Sequence, residues 1–191
     1  QDVFYKTIDA FNSLKSVVKE IASELKPLAS GIDKRLIVEY KEKSEFEVHL
    51  KFSGDTLVFM MHTNIFDFDQ HHYIHNIPYV QEDPMREFCG MIQIYNFLAD
   101  SIKYNREGDV GYLVGRLFIN KENHFFIEGK RSLSFQFGDF GLNQISKEFY
   151  EKIVLESIHY FLNFDLRAPP IDTISFNTLD QKQIMIISSG M

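Results

Sequence analysis

Seven apolar residues near the N-terminus, Phe4, Ile8, Phe11, Leu14, Val18, Ile21 and Leu25, recur at steps of 4, 3, 3, 4, 3 and 4. That spacing places all of them on one face of an α-helix. So long a stripe must lie on something, either the chain's own sheet or a second subunit. Asp2 stands where an N-cap is expected, Pro27 sets the expected end near Lys26, and Ser30–Gly31 breaks the chain.

The period then changes from helical to alternating. Leu36, Val38 and Tyr40 alternate with charge, and Phe46, Val48, Leu50 and Phe52 alternate with Glu45, Glu47, His49 and Lys51. Both runs predict strands, the second with one solvated face that includes His49. Ser53–Gly54–Asp55 predicts a tight turn, and the residues from Leu57 to Ile65 are apolar on both faces, as in a central strand. These three strands form one antiparallel meander.

Asp67 to Asp83 reads as a loop of packed rings (Phe68, Tyr73, Tyr79). Asp83 and Pro84 then resemble the start of a helix through residues 84–104, with Phe88, Met91, Ile92, Tyr95, Leu98 and Ile102 in helical spacing. Gly90 weighs against that helix, and a strand over Met91–Phe97 is the alternative. Tyr112–Ile119 and His124–Glu128 predict a hairpin around Lys121–Glu122, with Leu133, Phe135 and Phe137 as a further strand. If Asn120 pairs with Asn123, then Arg116 and Glu128 fall on opposite faces. The DFG tripeptide Asp139–Phe140–Gly141 matches a kinase metal-binding motif, but no phosphate loop accompanies it, so a turn is expected. Asn143 is placed to cap a last helix carrying Phe149, Tyr150, Ile153, Val154, Ile158, Phe161 and Leu162.

The expected architecture is therefore a single α+β domain over 1–191. One antiparallel sheet of six strands, arranged as two three-stranded meanders, carries N-terminal, middle and C-terminal helices mainly on one face. Residues 165–191 are expected to form an edge strand or a mobile tail.

Composition narrows the functional classes. The net charge is −7, and no basic run is longer than a pair such as Lys130–Arg131, which argues against nucleic acid and against an anionic membrane surface. No apolar run approaches the length of a membrane span. A single cysteine, Cys89, precludes an intramolecular disulfide and fits a reducing, cytoplasmic setting; its place on an apolar element predicts a buried, inert thiol. Nineteen Phe and nine Tyr suit a thick core, a cavity for a small apolar ligand, or a partner surface.

Chemistry-bearing residues crowd in one place. Four of the seven histidines, His62, His71, His72 and His75, lie within fourteen residues, with Asp67 and Asp69 between them. Imidazoles and carboxylates are the ligands of a divalent transition metal, so these six residues are the candidate metal set. The H-E-x-x-H spacing of metalloproteases is missing. Arg116, set in an apolar run, is a candidate for binding an anionic group if it faces a groove unpaired, and Tyr73 and Tyr79 are candidate ligand or partner contacts. No Walker loop, Rossmann fingerprint or nucleophile elbow occurs, and no cofactor is implied. The expected function is a non-catalytic interaction or ligand-binding module, homodimeric or bound to a protein partner. A metal-binding protein or metal-dependent hydrolase using His62–His75 is the alternative.

Overall fold

In the computed structural model, which describes residues 1–129, 131–164 and 176–178, helix α1 (Asp2–Ile32) lies across one antiparallel sheet. Phe11, Leu14, Val18 and Ile21 are buried there, so the long stripe finds its own sheet. The helix does not stop before Pro27. The proline sits inside it and five residues follow, because Pro27 removes only its own N–H while Ala29, 4% exposed, ties the last turn to the core. Asp2 is the first helical residue rather than the cap.

Six strands follow one another across the sheet in chain order: β1 (Val38–Ser44), β2 (Glu47–Phe52), β3 (Asp55–Phe66), β4 (Cys89–Leu98), β5 (Val110–Asn120) and β6 (Phe125–Gly129). Every neighbouring pair is antiparallel. The α+β class and the single antiparallel sheet are as expected, and β3 is central. The two separate meanders are not: β4 joins them into one continuous meander. A short strand, β7 (Phe176–Thr178), pairs with β5 at Val110–Tyr112; the rest of the 165–191 tail lies outside the described residues.

Two elements exchange identity relative to the sequence reading. The middle helix expected over 84–104 is instead strand β4, buried on both faces from Cys89 to Phe97, flanked by the short helix α3 (Ala99–Lys103). A strand with two buried faces loses its polar alternation, and its apolar run then matches helical spacing as well. Gly90 marks the difference. A Cβ there would lie 1.9 Å from Thr7 Oγ1, so glycine lets α1 approach the strand. Conversely, the strand expected over Leu133–Phe137 is the helix α4 (Arg131–Phe137). Leu133 and Phe137 are both buried, and their spacing of four satisfies either period.

Helix α5 (Lys147–Phe164) packs beside α1 and starts at Ser146, whose Oγ accepts the Phe149 N–H at 3.4 Å, rather than at Asn143. Helices α1, α4 and α5 cover one face of the sheet. Val48, Leu50, Leu57, Phe59, Met61, Ile92, Ile94, Leu117, Ile119 and Ile127 fill the main core beneath them. The opposite face carries two smaller apolar clusters. Segment 66–82, which includes the short helix α2 (Pro78–Glu82), packs on Phe118, Phe126 and Phe140. Val58, Met60, Tyr95 and Phe97 pack with Ile102 of α3. Among the described residues, no helix is long and apolar enough to cross a membrane.

Candidate functional site

The second face of the sheet carries the polar chemistry, and strand register decides which groups meet there. Asn120 accepts the N–H groups of Glu122 and His124 on its side-chain oxygen, and Asn123 takes a left-handed φ of 62°. The Asn120 N–H bonds the His124 carbonyl, so the turn proper is the three residues 121–123, with asparagine tolerated at the left-handed position. Ile119 pairs with Phe125, Phe118 with Phe126 and Arg116 with Glu128. The one-residue change from the expected register moves Arg116 and Glu128 onto the same face.

Arg116 is consequently not an unpaired cation. Its Nη2 donates to Glu128 Oε2 at 2.5 Å, and its guanidinium stands 5.6 Å from the Phe118 ring centroid. The other carboxylate oxygen, Glu128 Oε1, lies 3.1 Å from His72 Nε2, while His72 Nδ1 accepts the Ile74 N–H at 3.4 Å. Tyr73 stacks obliquely on His72, and its hydroxyl donates to the Gly138 carbonyl at 3.4 Å. Partial burial, and then the carboxylates of Glu128 and Asp139, push the Tyr73 phenol up to about 12. Two residues singled out in the sequence, Arg116 and His72, thus meet at Glu128, and a third, Tyr73, packs on His72.

Tyr79 belongs to a separate network. Its hydroxyl donates to Glu122 Oε2 at 2.9 Å and accepts from Asn120 Nδ2 at 3.0 Å, its ring stacks on His124, and the Arg86 guanidinium covers it. Burial pushes this phenol up to about 12 as well. Arg86 also pairs with Glu122 and Glu82, and Lys121 pairs with Asp83. These bonds fasten the 67–88 segment to the β5–β6 hairpin.

The six candidate metal ligands do not gather. His62 Nδ1 accepts the Asn64 N–H at 3.1 Å, and burial lowers the pKa of its imidazole. His75 places Nε2 3.0 Å from the Asp69 carbonyl and Nδ1 3.1 Å from Glu87 Oε2, so both ring nitrogens face acceptors. His72 is committed to Glu128 and Ile74. Asp69 accepts the His71 backbone N–H at 2.9 Å and shapes the turn; Asp67 and His71 are exposed. No three His, Cys, Asp or Glu side chains among the described residues are placed to hold a metal ion. Cys89 is fully buried, which pushes its thiol up and keeps it protonated and unreactive. Asp139 Oδ1 accepts the N–H groups of Gly141 and Leu142, so the kinase-like tripeptide is a turn.

The sequence reading missed a second region on the same face. A pocket of about 330 Å³ opens between β1–β3 and α3, lined by Glu39, Lys41, Lys43, His49, Lys51 and Lys103, with Thr56, Ala99 and Ile102. Lys41 pairs with His49 and Glu39 with Lys51 across β1 and β2, and Lys51 pairs with Thr56 of β3. The face expected to be solvated is not so throughout. Glu47 and His49 are 5% and 4% exposed, and His49 Nε2 bonds to Glu47 Oε1. The sequence signal was the charge alternation at 39, 41 and 43 opposite 47, 49 and 51, which aligns one face of a hairpin.

Compared with known proteins, the chain matches no protein-family profile, no curated protein and no solved structure.

Proposed function

We propose that this chain is a non-catalytic ligand-binding module that holds its ligand on the second face of the sheet, in the pocket between β1–β3 and α3. The carrying observation is that pocket. Its volume of about 330 Å³ fits a small molecule, and its lining includes His49, one member of the buried polar pair Glu47–His49. A sheet interior needs no imidazole and carboxylate of this kind for stability, since apolar residues of similar volume serve as well.

The 67–88 segment supports the same reading from the other side. Its Arg116–Glu128–His72 and Tyr79–Glu122–Arg86 networks bond inward and fix the far end of the face. They hold a scaffold in place and offer no nucleophile–base pair aimed at an open position. The metal reading of His62–His75 has no comparable support, because its nitrogens are directed to different partners.

The test is amide chemical-shift mapping of the isotopically labelled chain against a library of small charged, polar and apolar molecules. Binders that move the resonances of Lys41, His49, Lys51 and Ala99 support the proposal. A library with no binder, or binders that map only to the helical layer, would overturn it.

A further inference from the structure

The charge on the pocket wall is opposite to that of the chain. The protein has 27 acidic and 20 basic residues, yet the lining holds four lysines and one carboxylate, Glu39. Two antiparallel strands and a helix end bring these lysines together. Lys41 and Lys43 alternate along β1, Lys51 comes from β2, and Lys103 closes α3. Among the described residues, Lys41, Lys43 and Lys51 make no ion pair, whereas Arg35, Arg86, Arg106 and Arg116 all pair with carboxylates. Like charges on neighbouring strand positions repel, and a pocket with low-dielectric walls concentrates their field.

Resting on the ligand-binding reading above, we propose that the pocket binds a small phosphate monoester, with Lys41, Lys43, Lys51 and Lys103 around the phosphate oxygens. The choice of phosphate over carboxylate follows from the donors. Planar carboxylates are best matched by the fork of arginine, and no arginine lines this pocket. Ammonium groups act as point charges and can surround a tetrahedral dianion from several directions. The Thr56 hydroxyl and the His49 imidazole supply further polar surface, and Ala99 and Ile102 form the apolar wall against which the organic part of the ester would rest. The volume leaves room for a sugar-sized group beside the phosphate.

The experiment titrates the full chain with glucose 6-phosphate, inorganic phosphate and glucose, each followed by calorimetry and amide chemical-shift mapping in low salt. Glucose 6-phosphate is expected to bind and to shift the resonances of Lys41, His49 and Lys51, while glucose does not. The affinity should weaken as salt is raised. The double variant K41Q/K51Q should lose at least about tenfold in affinity, the scale of a lost charge-assisted hydrogen bond. K19Q, on an exposed position of α1, should leave it unchanged. These lysines are exposed or half-buried, so K41Q/K51Q is expected to keep its fold, and its amide spectrum away from the pocket checks this. Equal binding of glucose, or undiminished binding by K41Q/K51Q, sinks the phosphate assignment. If a neutral molecule alone moves the pocket resonances, the module reading stands without the anion. If no molecule moves them, both fall.

Discussion

The two faces of this sheet are built from the same strands by opposite rules. Beneath α1, α4 and α5, consecutive strands present Val48, Phe59 and Ile94 in one cross-sheet row, all apolar and buried. One residue along, the row on the other face runs Glu47, Met60, Gln93, Arg116, Glu128. Its polar members find partners on the same face, Glu47 in His49 of the neighbouring row and Arg116 in Glu128. Gln93 Oε1 is buried with no hydrogen-bond partner among the described residues. An apolar row under helices gives stability at low risk. A polar row inside a protein is costly wherever one partner is missing, so it is kept where the groups do something other than hold the fold.

The sharpest way to break that contrast is to remove one member of the buried pair. His49→Leu leaves the Glu47 carboxylate without its imidazole, and unfolding stability should fall by about 3 kcal/mol. Adding Glu47→Leu should recover most of that loss, because an apolar pair of similar volume suits the interior. Urea unfolding of the two variants decides it. If the double variant is no more stable than the single, the pair is a structural requirement and the two faces do not differ in purpose.

On the helical face, the expected sensitivity is to volume rather than to charge. Gly90→Ala places a methyl group against Thr7, within a helix whose backbone cannot retreat without lifting the whole stripe. A loss of about 2 kcal/mol is expected, the scale of overpacking a well-filled core. Thermal unfolding of Gly90→Ala that overlays the parent chain would mean that α1 sits more loosely on β4 than the contact implies.

These contrasts also explain which parts were legible in the sequence. The α1 stripe and the β2 alternation each carry a single period, and each was read as the element it forms. β4 carries none, because both of its faces are buried, and its Met91, Ile92 and Tyr95 satisfy a helical template by accident. Leu133 and Phe137 are four apart, a spacing common to both periods, and only their packing with β6 and α5 resolves it. The site suffered from a single residue of register. Read with a two-residue β5–β6 turn, Arg116 is an isolated cation, but with Asn123 in the left-handed region it has Glu128 beside it and His72 beyond. The lysine pocket was invisible for another reason. Alternating charges on an outer hairpin are the ordinary mark of a solvated face, and only the position of α3 turns that face into a cavity wall.

The Arg116–Glu128 pair should prove far less important to stability than Glu47–His49, although both lie on the same face of the sheet. The Arg116 side chain is 43% exposed, so solvent screens the pair. Arg116→Met is expected to cost only about 0.5 kcal/mol, and to loosen the 67–88 segment through His72. Hydrogen exchange should therefore speed up at Ile74 and Ile77 while global unfolding barely moves. A global loss as large as that of His49→Leu would erase the distinction between the two ends of the face.

The smallest effect expected is a dependence on pH confined to the polar face. His62 extends the β3 side of that face, opposite Met91, and burial lowers its pKa from the ordinary 6.5. The sign follows from linkage. As pH falls below 6.5 the unfolded chain takes up a proton on this imidazole while the folded chain does not, so stability declines. The decline continues until the folded imidazole also titrates, and below that point it is complete. The neutral Nδ1 is in addition the acceptor for the Asn64 N–H, a bond that protonation would remove. His62→Gln cannot take up the proton in either state. The stability difference between parent and His62→Gln should therefore move in favour of the variant between pH 7.5 and pH 5, as read by urea midpoints. A constant difference across that range would show that His62 is solvated in the folded chain and that this end of the polar face is open to water.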